Sequence, residues 1–139
     1  MDSFLDWAIG LLEGIERSPE KKQWCRDYSV YHRNPGNECL LRELYDFSDH
    51  AYEAGLVITN YADVIRMRDL NERQILTVDS EWLKEQPYLS VLACIAWHFR
   101  RDHFSEGSLI SESIAGGALL RLFYRLKELR ADNDLTSVP

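Results

Sequence analysis

The chain has 139 residues, 45% of them apolar, and sets 23 acidic side chains against 16 basic ones for a net charge of −7. That length is one domain's worth of chain, with apolar material enough for a core without staples. The negative balance disfavours attachment to phosphate backbones or anionic lipid, and no apolar run approaches the roughly 18 residues of a membrane helix.

Taken in chain order, Ser3 is the expected N-cap of an amphipathic helix over about residues 4 to 17. Phe4, Ala8, Leu11, Leu12 and Ile15 share its apolar stripe, with Asp6, Glu13 and Arg17 opposite. The acids among these first residues, and the lack of a basic leader, speak against a signal peptide. Ser18-Pro19 stops this helix and caps a short turn beyond it. Residues 18–37 are the least periodic part and predict a loop with one helical turn, a short extended piece at 29–31, and a turn at Asn34-Pro35-Gly36-Asn37.

Asn37 caps the clearest helix, over 38–54. Its positions Leu40, Leu44, Phe47 and Ala51 fall within about 80° of one another at 100° per residue. Arg42, Asp46, Asp49, His50 and Glu53 lie on the other side, and Gly55 is placed as the residue just past the helix end. Leu56-Val57-Ile58 is a short apolar run expected to be extended. Asn60 with Asp63 starts a short helix to about Met67. Asp69 with Glu72 has capping-box spacing for a turn of helix to Leu76, and Asp79 or Ser80 starts another that ends before Pro87.

From about Tyr88 to His103 the pattern changes in kind. Leu89, Val91, Leu92, Ala93, Ile95, Ala96, Trp97 and Phe99 surround the helical wheel, which predicts a central helix buried on nearly every side. Gly107 interrupts it, Ser108 caps a short helix to Ala115, and Gly116-Gly117 breaks that in turn. A final helix over about 118–130 buries Leu119, Leu122, Phe123, Leu126 and Leu129 and points Arg121, Arg125 and Glu128 outward. The expected architecture is a compact all-α, single-domain helical bundle over residues 1–131, built of several short helices around one central buried helix. A polar tail spans 132–139.

The densest polar knot is Arg100 to Glu106. As a ligand site, Arg101 and Asp102 supply opposite charges, Arg101 clamps a carboxylate or phosphate, and His103 or Glu106 moves a proton. The amides that begin the helix at Ser108 favour an anion. As plain structure, the same residues tie off a buried helix, where cations suit the dipole. Cys94 and His98 stand one turn apart with Asp102 beyond them, and Asp46, Asp49, His50 and Glu53 form a second cluster, but neither offers a convergent zinc set, so no metal is expected. Ser108, Ser111 and Ser113 lack a nucleophile elbow, and the phosphate-loop and dinucleotide glycine patterns are absent. No catalytic residue and no cofactor is assigned. Cys25, Cys39 and Cys94 form no C-x-x-C and read as buried, reduced thiols of a cytoplasmic protein.

Arg101, Asp102, Phe104, Gly107, Gly117, Leu120, Arg125 and Leu126 together resemble the pattern of a family of small bacterial proteins, domain of unknown function 6508. The Tyr28 to Tyr31 region, Leu44-Tyr45, Gly55 and Tyr61 extend the likeness over roughly residues 28–130. That family tends to have Arg before the Phe, where this chain has His103. The resemblance implies a compact domain and no activity.

The expected function is that of a small cytoplasmic interaction or regulatory module, binding a protein partner or associating with itself as a homodimer. Its motive is the missing catalytic constellation together with Trp7, Trp24 and Trp82, more aromatic surface than one core absorbs. The alternative is a small-ligand or anion-binding protein or enzyme with its site at Arg101, Asp102, His103, Glu106 and Ser108. A second alternative is a nucleic-acid-associated protein using the basic stripe Arg121, Arg125, Lys127 and Arg130 of the C-terminal helix, though the net charge disfavours nucleic acid as a partner.

Overall fold

The computed structural model describes residues 1–26, 47, 49–102 and 108–131. These form α1 (Asp2–Glu16), α2 (Pro19–Arg26), α3 (residues 49–53), α4 (Tyr61–Met67), α5 (Glu72–Thr77), α6 (Ser80–Lys84), α7 (Tyr88–Asp102), α8 (Ser108–Ala115) and α9 (Ala118–Ala131). No strand occurs among the described residues, so the fold is all-α as expected. The extended piece at 29–31, Asn37, Cys39, most of the 38–54 helix, the Gly107 break and the polar tail lie outside the described residues.

The helix α7 is the interior pillar. Every residue from Ser90 to Phe99 is buried. A helix apolar all round has no face to give to water, so neighbours must cover each side. α4 and α5, α8 and α9 all pack on it. One apolar cluster joins Leu5, Leu12 and Ile15 of α1, Ile95 of α7, and Leu119, Leu122 and Leu126 of α9. At its centre Phe47 lies within 6 Å of Phe4, Phe99 and Phe123, with ring centroids 5.9, 5.7 and 5.9 Å away.

The helix α1 runs antiparallel to α9. Asp2 pairs with Arg130, Asp6 with Lys127 at 2.9 Å, and the Tyr124 hydroxyl donates to Glu13. The Arg130 guanidinium holds the Asp2 carboxyl below its usual range, while the Glu13 carboxylate raises the Tyr124 hydroxyl. These contacts line an exposed seam and add little beside the apolar surface beneath them.

Helix ends explain the differences from expectation. α1 begins at Asp2 with Met1 as N-cap, so Ser3 is inside the first turn and caps nothing. Residues 19–26 form a full helix rather than one turn in a loop. Ser18 Oγ accepts from the Lys21 amide at 3.2 Å, and Pro19 sits at the first helical position, where its missing N–H costs nothing. Leu56-Val57-Ile58 is not extended. The Leu56 amide donates back to the Ala51 carbonyl at 3.1 Å and the Gly55 amide to Tyr52 at 3.1 Å, with Gly55 at φ +79°. That double bond closes a helix on a left-handed residue and turns Leu56 into the core.

The same motif closes α4 without a glycine. Leu70 N donates to Ile65 O at 3.0 Å and Asp69 N to Arg66 O at 3.2 Å, with Asp69 at φ +54°. Asp69 therefore ends one helix and cannot start the next. The N-cap of α5 is Asn71, whose side chain accepts from Gln74 N at 2.8 Å while Gln74 Oε1 accepts from Asn71 N at 3.2 Å. α6 starts as expected at Asp79, whose carboxylate accepts from Trp82 N at 3.3 Å.

Candidate functional site

Of the expected polar knot, the structure describes only the upstream part. Arg101 is exposed, and its guanidinium carbon lies 5.4 Å from the ring centroid of Trp97, one helical turn earlier. This cation–π contact is local to α7. Asp102 is the last residue of α7 and Ser108 the first of α8. His103 and Glu106 lie outside the described residues, as do the side chains of Asp102 and Ser108.

The side chain that the fold does build on is His98. It is fully buried, and both ring nitrogens are engaged. Nε2 lies 2.9 Å from the carbonyl oxygen of Ile75 and Nδ1 lies 2.8 Å from Ser113 Oγ. A carbonyl oxygen only accepts, so Nε2 carries the proton, Nδ1 is the acceptor, and the Ser113 hydroxyl donates to it. One imidazole thus joins α5, α7 and α8. Burial pushes its pKa down to about 4, against the opposing effect of the Ile75 carbonyl. A base that weak is poorly matched to drawing a proton from a serine hydroxyl near neutral pH. Its nitrogens are likewise unavailable to the metal pairing with Cys94 that the one-turn spacing suggested. Cys94 and Cys25 are buried thiols pushed up to about 12 and about 11 by desolvation, which keeps them protonated.

The arginines of the basic stripe of α9 are turned onto the fold, while Lys127 stays exposed. Arg121 donates from Nε to Val78 O at 2.9 Å, from Nη2 to Thr77 O at 2.9 Å and from Nη1 to Gly116 O at 3.3 Å. Arg125 donates from Nη2 to Lys84 O at 3.0 Å and to Gln86 O at 3.2 Å. Lys127 and Arg130 are turned to Asp6 and Asp2. The last carbonyls of a helix have no partner within it. α5 and α6 end without glycine, and the arginines of α9 supply the missing donors. Val78, which closes α5, has φ +48° and is fully buried. A β-branched residue in that region costs on the order of 1–3 kcal/mol, and the Arg121 clamp and the buried isopropyl group hold it there. Arg121 also edges a hollow of about 290 Å3 lined by Leu76, Thr77, Glu112, Ser113 and Gly116.

The remaining surface feature is aromatic. Trp7 is 43% exposed and Tyr52 45%. Trp7 lies beside α3 and Tyr52 on it. Trp7 meets the edge of His50 at 5.4 Å and Phe47 at 6.1 Å, and Tyr52 meets Phe99 at 6.4 Å. Phe47 and Ala51 are buried between them. Trp82, expected to be surplus, is instead half-buried against the core. Compared with known proteins, the chain matches no family model, no curated protein and no solved structure.

Among the described residues no group of three or more His, Cys, Asp or Glu side chains converges on a metal position. No described helix is long and apolar enough to cross a membrane.

Proposed function

We propose that this protein is a binding module whose aromatic band, Trp7–His50–Tyr52, takes a partner protein presenting apolar and basic side chains. The observation that carries this reading is the presence of two half-exposed aromatic rings, Trp7 beside α3 and Tyr52 on it, each resting on a buried ring of the core. Rigidly seated Trp and Tyr side chains are the residues that dominate interface energies. The other exposed apolar side chains, such as Met67, need no special account when they stand singly. Acidic groups border the band: Asp49 is exposed, and Glu53 lies 3.5 Å from His50 with 76% of its side chain exposed. With a net charge of −7, a basic partner approaches faster than a second acidic copy. Membership of the family of domain of unknown function 6508 and a cytoplasmic location belong to the same proposal.

The test is the pair of substitutions Trp7→Ser and Tyr52→Ser in one chain. Fluorescence titration with an amphipathic peptide of leucine and lysine should show the unsubstituted protein binding at least about 10-fold more tightly than the variant. Sedimentation over a concentration series should show a monomer for both. Equal binding by the two proteins sinks the proposal, and a dimer dissolved by the substitutions replaces the foreign partner with a second copy.

A further inference from the structure

The helix α5 is held more by hydrogen bonds from neighbouring side chains than by burial. Only one of its six residues, Ile75, is buried. Its outer flank opens on two hollows that adjoin at Thr77: the one of about 290 Å3 beside Ser113 and Arg121, and one of about 230 Å3 lined by Asn71, Arg73, Gln74, Thr77, Asp79 and Trp82. The two residues with positive φ that are not glycine, among those described, are Asp69 and Val78. They stand on either side of it. Three of the carbonyls at its C-terminal end, those of Ile75, Thr77 and Val78, are satisfied by side chains from elsewhere, His98 of α7 and Arg121 of α9.

We propose that residues 70–77 form a latch, hinged at Asp69 and Val78 and held down by His98 and Arg121. Local opening concentrates where few apolar contacts and many separable hydrogen bonds hold an element. Hinges fall at element ends that absorb a large change of φ and ψ, and non-glycine residues held left-handed regain their preferred region when released. Opening breaks the side-chain bonds to three carbonyls and lifts one buried side chain, while the Asn71–Gln74 capping box travels with the helix and keeps it wound. The two hollows then become one, floored by the ring of His98 and the hydroxyl of Ser113. The device is independent of the aromatic band, because neither Trp7 nor Tyr52 is among the lining residues.

Amide hydrogen exchange of the intact chain, followed by mass spectrometry or NMR, reads this directly. The amides of Ile75 to Val78 should exchange at least about 100-fold faster than those of Ile95 to Phe99, with little dependence on mild urea. Arg121→Gln should speed the α5 amides by a further factor of about 10 and leave those of α7 unchanged. Arg121→Lys should fall between, since an ammonium cannot present the guanidinium fork. If the α5 and α7 amides of the unsubstituted protein share one exchange rate and one urea dependence, α5 opens only when the whole molecule unfolds and the latch does not exist. That comparison stands even if the variants fail to fold. An Arg121→Gln protein that loses protection equally everywhere overturns the proposal as well.

Discussion

The helices α7 and α5 pack together and are joined by the hydrogen bond from His98 to Ile75, yet they are held in opposite ways. α7 has ten consecutive buried residues, Ser90 to Phe99, and its place follows from the removal of apolar surface on every side. α5 has one buried residue and is kept in place by donors aimed at its carbonyl oxygens. Apolar burial is non-directional and tolerates small shifts. A guanidinium fork on two carbonyls holds only one arrangement and is lost all at once. The contrast shows how one small fold carries a fixed core and a separable edge.

Breaking the α7 side should have the largest effect. Ile95 is fully buried, and Ile95→Ala removes its ethyl and methyl branches and leaves a void within the cluster. A loss of about 2–5 kcal/mol is expected in urea denaturation. The joint between the two helices comes next. The folded chain holds His98 near a pKa of about 4, against an ordinary value of 6.5. The unfolded chain takes up that proton first as the pH falls through 6.5, so stability falls between pH 6.5 and 4 and levels below that. The full loss is about 3 kcal/mol. His98→Gln keeps a donor and an acceptor but cannot titrate, so the difference between the two proteins in urea midpoint against pH should vanish only if His98 is not the group responsible. The smallest effect belongs to α5 itself: Asn71→Ala removes one capping acceptor and should cost about 1 kcal/mol, seen as a modest fall in the thermal midpoint.

The two helices also differ in how far the sequence reveals them. α7 is legible because a wheel of apolar residues has one structural solution, and the glycines at 55 and 117 mark real left-handed stops. α5 is legible as a helix, but its expected start is misplaced. Asp69-x-x-Glu72 and Asn71-x-x-Gln74 have the same spacing, and only the closure of α4 on a left-handed Asp69 decides between them. The clamps are illegible for a deeper reason. Arg121 and Arg125 answer main-chain carbonyls, which every residue carries, so no side-chain pattern announces the pairing. His98 and Ser113 are 15 residues apart, and the lone imidazole on an apolar helix is the one available sign that something polar has to meet it. The knot at Arg101 draws attention through its charge, yet the contact the structure shows for Arg101 is to Trp97, a residue of its own helix.

The arginines that finish α5 and α6 belong to α9, 44 residues after Thr77 and 41 after Lys84. During synthesis from the N-terminus, both short helices emerge well before the side chains that complete them. Until α9 leaves the ribosome, the carbonyls of Thr77, Val78 and Lys84 lack the arginine donors of the finished fold, and the pillar helix lacks one of its walls. α9, made after both, is therefore the keystone of the described fold, and a nascent chain arrested before Arg121 should still be open to proteases at α5 and α6.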